Sequence, residues 1–444
     1  MSDELLARLQ AVLPRSLDDL KAHLAIPSVS SQTEHDADVQ ASAEQVAAWL
    51  EEIGCPQVSV VREGGQPAVI ASFPAPPGQP TVCLYAHHDV QPTGDTSRWT
   101  TPPFTADERD QRLWARGASD DKGGVAVHLA VLRAFDGRPP VGVKLFIEGE
   151  EEIGSPSLAA ILAAHHDELA ADVFVIADSG NWDVGVPALT TTLRGVADCV
   201  VEVSTVDHGL HSGEFGGLVP DALTCLCRLL ATLHDERGNV AIEGLLSSQA
   251  ADIDYPLERL DVESGKLDGV QWIGDGSVVQ RNWNAPSVSV LALDTTRIAD
   301  ASNTLIPSAR AKVSLRVAPG DDAERAGELL RAHLLSHAPW GAHVSVSEGS
   351  AGQPSIIAVD GPGAQAAIAA LRQAFGVEPV MMGMGGSIPM ITDFQNAFPG
   401  CEIIVTAVGD PLSRAHSLDE SLGLDDWRKA AAAEALLLEA LASR

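Results

Sequence analysis

Histidine and acidic residues follow three apolar runs in the first half of the chain. TVCLYA leads into His87, His88 and Asp89, VGVKLFI leads into the acidic segment EGEEE (148–152), and DVFVIA leads into Asp178. Imidazole and carboxylate groups are common protein ligands of divalent metal ions. Each acidic segment taken alone could be a solvated turn, because 61 Asp and Glu outnumber 29 Lys and Arg. Their shared position after apolar runs favours a metal site.

EGEEE offers the two kinds of carboxylate that hydrolysis at a metal centre requires. One carboxylate binds the cation, and a second takes a proton from water whose pKa the cation has lowered. Adjacent glutamates on one turn could divide these roles.

A further candidate segment, ARGASDDKGG (115–124), places Asp120 and Asp121 before a helical pattern. One aspartate could cap the helix and favour its first turn electrostatically. The other could face a ligand, and its two carboxylate oxygens could bridge two cations.

Short apolar runs alternate with helical patterns in the first part of the chain. The predicted elements are a strand at 81–86, a helix at 123–135, a strand at 141–147, a helix at 156–170 and a strand at 172–177. This alternation predicts an α/β fold with a doubly wound, mostly parallel sheet covered by helices on both faces. Ligands of such sheets bind beyond the carboxyl ends of the strands, where the candidate residues lie.

The alternation changes near Thr192. The following segment predicts the order βαββαβ, which describes an α+β domain inserted into the first one. We therefore expect one domain at 1–194 and 353–444, and an inserted domain at 195–352. After Gln353 the α/β pattern returns and ends in an alanine-rich helix at 425–442.

Composition excludes several classes of protein. With 444 residues and 45% hydrophobic content, the chain can form two or three globular domains. It has no apolar run of membrane-spanning length, and its start reads as an acidic amphipathic helix rather than a signal sequence, so we expect a cytoplasmic protein. The six scattered cysteines are expected to be reduced core thiols. A net charge of −32 opposes binding to nucleic acid or to an anionic membrane surface.

These motifs resemble the M20 family of metallopeptidases, and within it the carnosinase-like dipeptidases. The match covers nearly the whole chain, with the motifs in the family's order. The family's H-x-D motif corresponds to His87 and Asp89, which implies that His87 binds a metal and Asp89 orients it, whereas His88 is replaceable. RGASDDKG matches the motif whose first aspartate bridges two metals, which implies that role for Asp120, with Asp121 as its neighbour.

The resemblance extends to the remaining ligands. EGEEEIGS implies that Glu151 is the general base and Glu152 a ligand, while Glu150 falls where an acid is not required. Asp178 matches the terminal carboxylate ligand, and His416 in SRAHSLDE matches the last ligand.

The inserted domain resembles the family's lid and dimerisation domain. HGLHSGEFGG implies that His211 polarises the scissile carbonyl, either in its own subunit or across a homodimer. Two segments, NTLIPSARAKVSLR and MGMGGSIPMI, imply contacts with the substrate's carboxylate end from Asn303 or Thr304, Arg316, Gly386 and Ser387. The sequence departs from carnosinase-like members at Gly383 and Met384, where they often have arginine and glutamate.

The resemblance implies hydrolysis of dipeptides or short peptides by an enzyme with two divalent metal ions, expected to be Zn²⁺, with Co²⁺ or Mn²⁺ also suitable. Glu151 would deprotonate the bridging water, and one metal together with His211 would stabilise the oxyanion. One alternative is an N-acyl amino acid deacylase of the desuccinylase or acetylornithine deacetylase type. Another is a non-catalytic binding protein that retains the fold.

Overall fold

Helices and strands alternate along most of the chain, for which a computed structural model describes residues 2–386 and 389–443. The α-helices are α1 (Ser2–Leu24), α2 (Asp36–Ile53), α3 (Lys122–Ala134), α4 (Leu158–Ala164), α5 (His166–Leu169), α6 (Ser212–Phe215), α7 (Ala222–Ala231), α8 (Leu257–Ser264), α9 (Ala323–Ser336), α10 (Pro362–Phe375), α11 (Pro389–Ala397) and α12 (Leu424–Ala442). The strands are β1 (Gln57–Val61), β2 (Ala68–Phe73), β3 (Thr81–His87), β4 (Asp107–Arg109), β5 (Arg112–Trp114), β6 (Gly142–Glu148), β7 (Val173–Ile176), β8 (Ala188–Leu193), β9 (Gly195–Ser204), β10 (Leu210–His211), β11 (Ser287–Asp294), β12 (Thr304–Leu305), β13 (Ser308–Val317), β14 (His343–Gly352), β15 (Ser355–Ile356), β16 (Val380–Met384), β17 (Glu402–Val405) and β18 (Ser421–Gly423).

The chain forms two compact units. The first comprises Met1–Thr191, Ile357–Met382 and Asp393–Arg444, and the second comprises Thr192–Ile356 and Gly383–Thr392. No helix among the described residues is both long enough and apolar enough to span a membrane.

The first unit is built on a six-stranded sheet in the order β1-β2-β6-β3-β7-β17. β6, β3, β7 and β17 run parallel to one another, whereas β2 pairs antiparallel with β6 and β1 pairs antiparallel with β2. The predicted mixed α/β fold with a mostly parallel sheet is confirmed. β3, β6 and β7 are adjacent, so their carboxyl ends lie at one edge of the sheet.

Apolar side chains cover both faces of this sheet, which explains why its central strands are nearly continuous apolar runs. On one face, strand residues such as Leu84 and Val143 join the core formed with α1, α2, α3, α10 and α12. On the other face, an aromatic cluster packs edge-to-face and in stacks: Tyr85, Phe146, Phe174, Phe394 and Phe398.

The second unit contains an antiparallel sheet in the order β11-β13-β9-β14. Alternate residues of β9 and β13 face a core that they share with α7 and α9. The order of these six elements along the chain is βαββαβ, as predicted.

Two local predictions differ from the structure. The predicted helix at 156–170 is divided into α4 and α5 because His165 leaves helical backbone geometry. All six cysteines are free thiols, but Cys227 is exposed and Cys401 only partly buried, so these two are not core residues.

Candidate metal centre

The carboxyl edge of the parallel strands carries the first candidate ligands. His87 is the last residue of β3, and its register partner on β6 is Glu148. Glu151 and Glu152 form the helical turn that follows β6, and Asp178 lies two residues beyond β7. Parallel pairing of these strands therefore brings side chains from three separate segments to one place.

Asp120 lies between two histidines. Its Oδ1 is 3.0 Å from Nε2 of His87, and its Oδ2 is 2.9 Å from Nε2 of His416. One carboxylate thus directs its two oxygens at two different imidazoles, which is the arrangement that a bridging ligand needs.

The described residues contain two groups whose potential ligand atoms lie within 4.8 Å of one another. One group is His87, Glu151 and Asp178, and the other is Asp120, Glu152 and His416. Nε2 of His416 is 3.1 Å from Oε2 of Glu152. All residues that the motifs indicated as ligands, together with Glu151, are therefore in this cluster.

The tautomer of His87 shows that the cluster suits cations. The ring's Nδ1–H donates to the carbonyl oxygen of Asp89 at 3.0 Å, which leaves the lone pair of Nε2 facing a carboxylate oxygen of Asp120. Two electron-rich atoms at that separation require a proton or a metal ion between them. The expected ligands, two imidazoles and three carboxylates, fit two divalent metal ions, with the carboxylate of Glu151 beside them.

Asp89 contacts more than the histidine it was expected to orient. Its fully buried carboxylate lies 3.3 Å from Nδ1 of His87. The same carboxylate accepts the backbone N–H groups of Glu151 at 3.2 Å and of Glu152 at 3.1 Å. Asp89 thus ties the β3 end to the glutamate turn after β6.

The two adjacent glutamates differ in their hydrogen bonds. The carboxylate of Glu152 accepts the backbone N–H of Gln91 at 3.1 Å and its side-chain Nε2–H at 2.8 Å. Among the described residues, no hydrogen bond holds the carboxylate of Glu151. Glu152 is therefore fixed in place, whereas Glu151 keeps both oxygens available.

Crowding of acidic groups perturbs the pKa values in the cluster. Burial raises the pKa of Asp178 to about 7, and burial together with the charge of Asp178 raises the pKa of Glu151 well above its usual range. Burial alone would lower the pKa of His87, but the hydrogen bonds of its ring to Asp120 and Asp89 have a larger combined effect and raise this pKa. Hydrogen bonds to Asp120 and Glu152 raise the pKa of His416 to about 10. The cluster thus retains protons that two cations would displace.

Glu420, which the motif analysis did not single out, supports the Asp120 loop. Its fully buried carboxylate accepts the backbone N–H groups of Gly117 at 2.9 Å, Ser119 at 2.9 Å and Asp120 at 3.2 Å. It also pairs with the guanidinium of Arg116 at 2.7 Å. In the sequence, Glu420 could have been recognised only as an acidic residue four positions after His416.

Two residues judged dispensable from the sequence are buried. The ring of His88 lies outside the ligand cluster, but it is fully buried and its Nε2–H donates to the carbonyl of Pro67 at 2.9 Å. Glu150 is also buried, and its carboxylate accepts the backbone N–H groups of Gln66 at 2.9 Å and Ser157 at 2.5 Å. These side chains fix the loops around the ligands, and the expectation that neither is needed for metal binding stays a prediction.

In the second unit, three of the expected substrate residues lie together. His211 pairs with Thr304 between β10 and β12, and the carbonyl of Asn303 accepts the N–H of Ser212 at 2.9 Å. Nδ1 of His211 accepts the N–H of Gly213 at 3.1 Å, so the ring proton of the neutral imidazole resides on Nε2.

The other expected substrate residues lie on two different segments of the second unit. Arg316 is on β13, Gly386 follows β16, and Ser387 lies outside the described residues.

An α/β unit that joins two carboxylate–histidine groups through a shared aspartate has the architecture of a two-metal hydrolase. A family model described as peptidase family M20/M25/M40 matches residues 83–440, and the chain belongs to this family. The family resemblance drawn from the motifs is therefore confirmed.

The similar proteins include several dipeptidases. The chain is 35% identical over 437 residues to the cysteinylglycine-S-conjugate dipeptidase of Corynebacterium striatum, covering 96% of this chain and 94% of that protein. It is 29% identical over 375 residues to the Beta-Ala-His dipeptidase of Homo sapiens, covering 80% and 74% of the two chains. The crystal structure of human carnosine dipeptidase 1 superimposes with a TM-score of 0.86 at 25% identity, covering 100% and 99%.

Proposed function

We propose that this protein hydrolyses the peptide bond of dipeptides or short peptides in a metal-dependent reaction. The observation that carries the proposal is the pair of ligand groups that meet at Asp120. Beside them lies the carboxylate of Glu151, which accepts no hydrogen bond from the described residues. The dipeptidase names of the relatives support this substrate class over acylated amino acids. The complete set of ligands and base argues against a non-catalytic binding protein.

Two divalent metal ions would be held by His87, Asp120, Glu152, Asp178 and His416. When bound, they supply Lewis-acid chemistry, which lowers the pKa of water and polarises a carbonyl group. Zn²⁺ suits this mixture of imidazole and carboxylate ligands, as do Co²⁺ and Mn²⁺.

Glu151 is the general base in this proposal. Its carboxylate lies within the ligand cluster without a hydrogen bond of its own among the described residues, so it can accept a proton from the attacking water and pass it to the leaving amine. His211 is the proposed donor to the developing oxyanion, either in its own subunit or across a homodimer. Nε2–H is its available donor, because Nδ1 already accepts the N–H of Gly213.

A pair of adjacent variants tests these roles. Glu151→Gln should bind two metals but lose activity by roughly a hundredfold or more, as expected for loss of a general base. Glu152→Gln should instead bind metal more weakly. Metal content after dialysis and initial rates distinguish the two, and a Glu151→Gln enzyme as fast as wild type would overturn the mechanism.

The substrate class is tested with a matched panel. Dipeptides with a free amine, including Cys-Gly and β-Ala-His, should be cleaved, whereas N-acetyl and N-succinyl amino acids should not. Cleavage of only the acylated compounds would establish the deacylase alternative.

A homodimer formed through the second unit is part of the proposal. β11 lies at one end of its sheet, and the side chains of Leu291 and Leu293 are 60% and 49% exposed. Exposed apolar residues on an edge strand favour pairing with another chain. The double variant Leu291→Lys, Leu293→Lys should be monomeric by light scattering, whereas Ser347→Lys on the opposite edge strand should not change the mass.

The cytoplasm is the proposed location. All six cysteines are free thiols, which supports a reducing compartment. Fractionation of the native host would test this location, with marker proteins of the reducing cytoplasm and of an oxidising compartment as controls.

A further inference from the structure

Two arginines of the second unit, Arg194 and Arg316, have no acidic partner among the described residues. Arg316 on β13 is the register partner of Ser287 on β11 and of Val196 on β9, so these three side chains leave the same face of the sheet. Arg194 precedes Val196 by two residues, and its Nη1–H donates to Oγ of Ser287 at 2.9 Å. The guanidinium of Arg194 therefore contacts Ser287, the register partner of Arg316.

Other cations on this face are neutralised by carboxylates. Arg310 pairs with Asp294, and Lys312 pairs with Asp198 at 3.2 Å. Among the described residues, neither Arg194 nor Arg316 has such a partner, although acidic residues outnumber basic ones by 61 to 29 in the whole chain. A local excess of positive charge in so acidic a protein favours an anionic ligand.

Arg194 also holds the glycine-rich segment that follows β16. Its Nε–H donates to the carbonyl of Gly385 at 3.0 Å, and its backbone N–H donates to the carbonyl of Met384. A Cβ atom at Gly385 would lie 2.9 Å from Nη2 of Arg194, so a side chain there would displace the guanidinium from its present position. Gly386, expected to contact the substrate's carboxylate, is the next residue.

Close packing also explains the departure at Gly383. A Cβ atom there would lie 2.8 Å from Cβ of Trp283 and 2.6 Å from Oγ1 of Thr192. An arginine at this position would collide with both residues. The positive charge beside this segment comes from Arg194, whose Nε–H donates to the carbonyl of Gly385.

We propose that Arg194 is a positioning residue that anchors the glycine-rich segment and, together with Arg316, forms a two-arginine site for the C-terminal carboxylate of the substrate. This inference rests on the proposed peptidase function and extends its carboxylate-binding site to a residue that the motifs did not indicate. The carboxylate would supply the negative charge that the two guanidinium groups lack.

Burial of Arg194 strengthens its repulsion by the charge of Arg316. Arg194 is 7% exposed, and burial together with the charge of Arg316 lowers the pKa of Arg194 to about 10. The guanidinium remains charged at neutral pH, so the two cations repel each other until an anion binds. A neutral carboxamide in place of the substrate carboxylate would leave that repulsion in place.

The test compares dipeptides with their C-terminal amides. In wild type, kcat/KM should favour the free carboxylate. Arg194→Gln should raise KM for the carboxylate substrate by roughly 10- to 100-fold, the range for losing a charge-assisted interaction, and change kcat/KM for the amide by less than about threefold. Arg194→Lys, which keeps the charge, should retain most of the discrimination. Arg310→Gln, at an exposed arginine on the same strand as Arg316, is the matched control and should leave the ratio unchanged.

The carboxylate-to-amide ratio separates recognition from a purely structural role. A variant that loses activity equally on both substrates, or that keeps the wild-type ratio, would overturn the inference. If the dipeptide amide is not cleaved, the carboxylate-to-amide ratio can be taken instead from the inhibition constants of the product amino acid and of that amino acid's amide. If the enzyme cleaves only acylated amino acids, the proposed substrate class fails, but the ratio measured with an acyl amino acid and its amide still tests Arg194.

Discussion

Replacement of Glu420 should weaken metal binding through the Asp120 loop. Glu420→Ala would remove the carboxylate that pairs with Arg116, which is only 2% exposed and otherwise donates to the carbonyl oxygens of Pro92 and Ser417, at a cost of about 3–5 kcal/mol. It would also leave the N–H groups of Gly117, Ser119 and Asp120 without this acceptor. Such a loss approaches the total stability of many domains, so this variant is expected to fold poorly. Glu420→Gln keeps the shape and one acceptor oxygen, and should weaken metal binding by roughly 10- to 100-fold.

The assay is metal titration by calorimetry, with thermal unfolding measured in parallel. Glu402→Gln is the matched control, because the carboxylate of Glu402 also accepts two backbone N–H groups, those of Gly363 and Ala364 at 3.0 Å. The control should lose some stability without a change in metal affinity. Wild-type affinity and stoichiometry in Glu420→Gln would refute the claim that this carboxylate positions Asp120.

Further predictions concern the two histidines after β3 and the histidine of the second unit. His87→Ala should lose a metal and nearly all activity, whereas His88→Ala should keep both metals but melt at a lower temperature; similar metal loss in both would show that the ligand is misassigned. Burial lowers the pKa of His88 to about 4, so between pH 7.5 and pH 5 the unfolded chain binds a proton at this residue that the folded chain does not. The wild-type protein should therefore lose about 2 kcal/mol of its free energy of unfolding over this range. His88→Gln should show a smaller loss when unfolding is measured by chemical denaturation. Gly213→Ala would place a Cβ 3.0 Å from Cε1 of His211, so kcat should fall while metal content, measured by mass spectrometry, stays constant.

Sequence patterns were informative where the controlling physics is local. Apolar runs of strand length predicted β3, β6 and β7, and the rule that parallel strands place their carboxyl ends at one edge predicted that His87, Glu151 and Asp178 would converge. The change of rhythm near Thr192 predicted a second unit with the order βαββαβ. In the helix at 156–170, the periodicity missed the break at His165, because the apolar pattern continues through a residue whose backbone is not helical.

Single positions around the ligands were harder to judge. His88 and Glu150 looked replaceable because motif spacing records which residues bind the metal, and says nothing of which side chains fill the space behind them. In the structure both are buried, and their hydrogen bonds reach residues that are distant along the chain: Pro67 for His88, and Gln66 for Glu150.

The sequence by itself determined the elements, the class of site and most of its ligand types, because strand periodicity, helix patterns and short motifs are encoded within a few residues. Only the tertiary structure decided which carboxylate meets which imidazole, and which buried groups hold them there. Glu420 reaches the Asp120 loop across 300 residues, and Arg194 reaches Gly385 across 191 residues. Such contacts depend on how distant segments pack, and burial makes each unpaired charge costly enough to fix the partner.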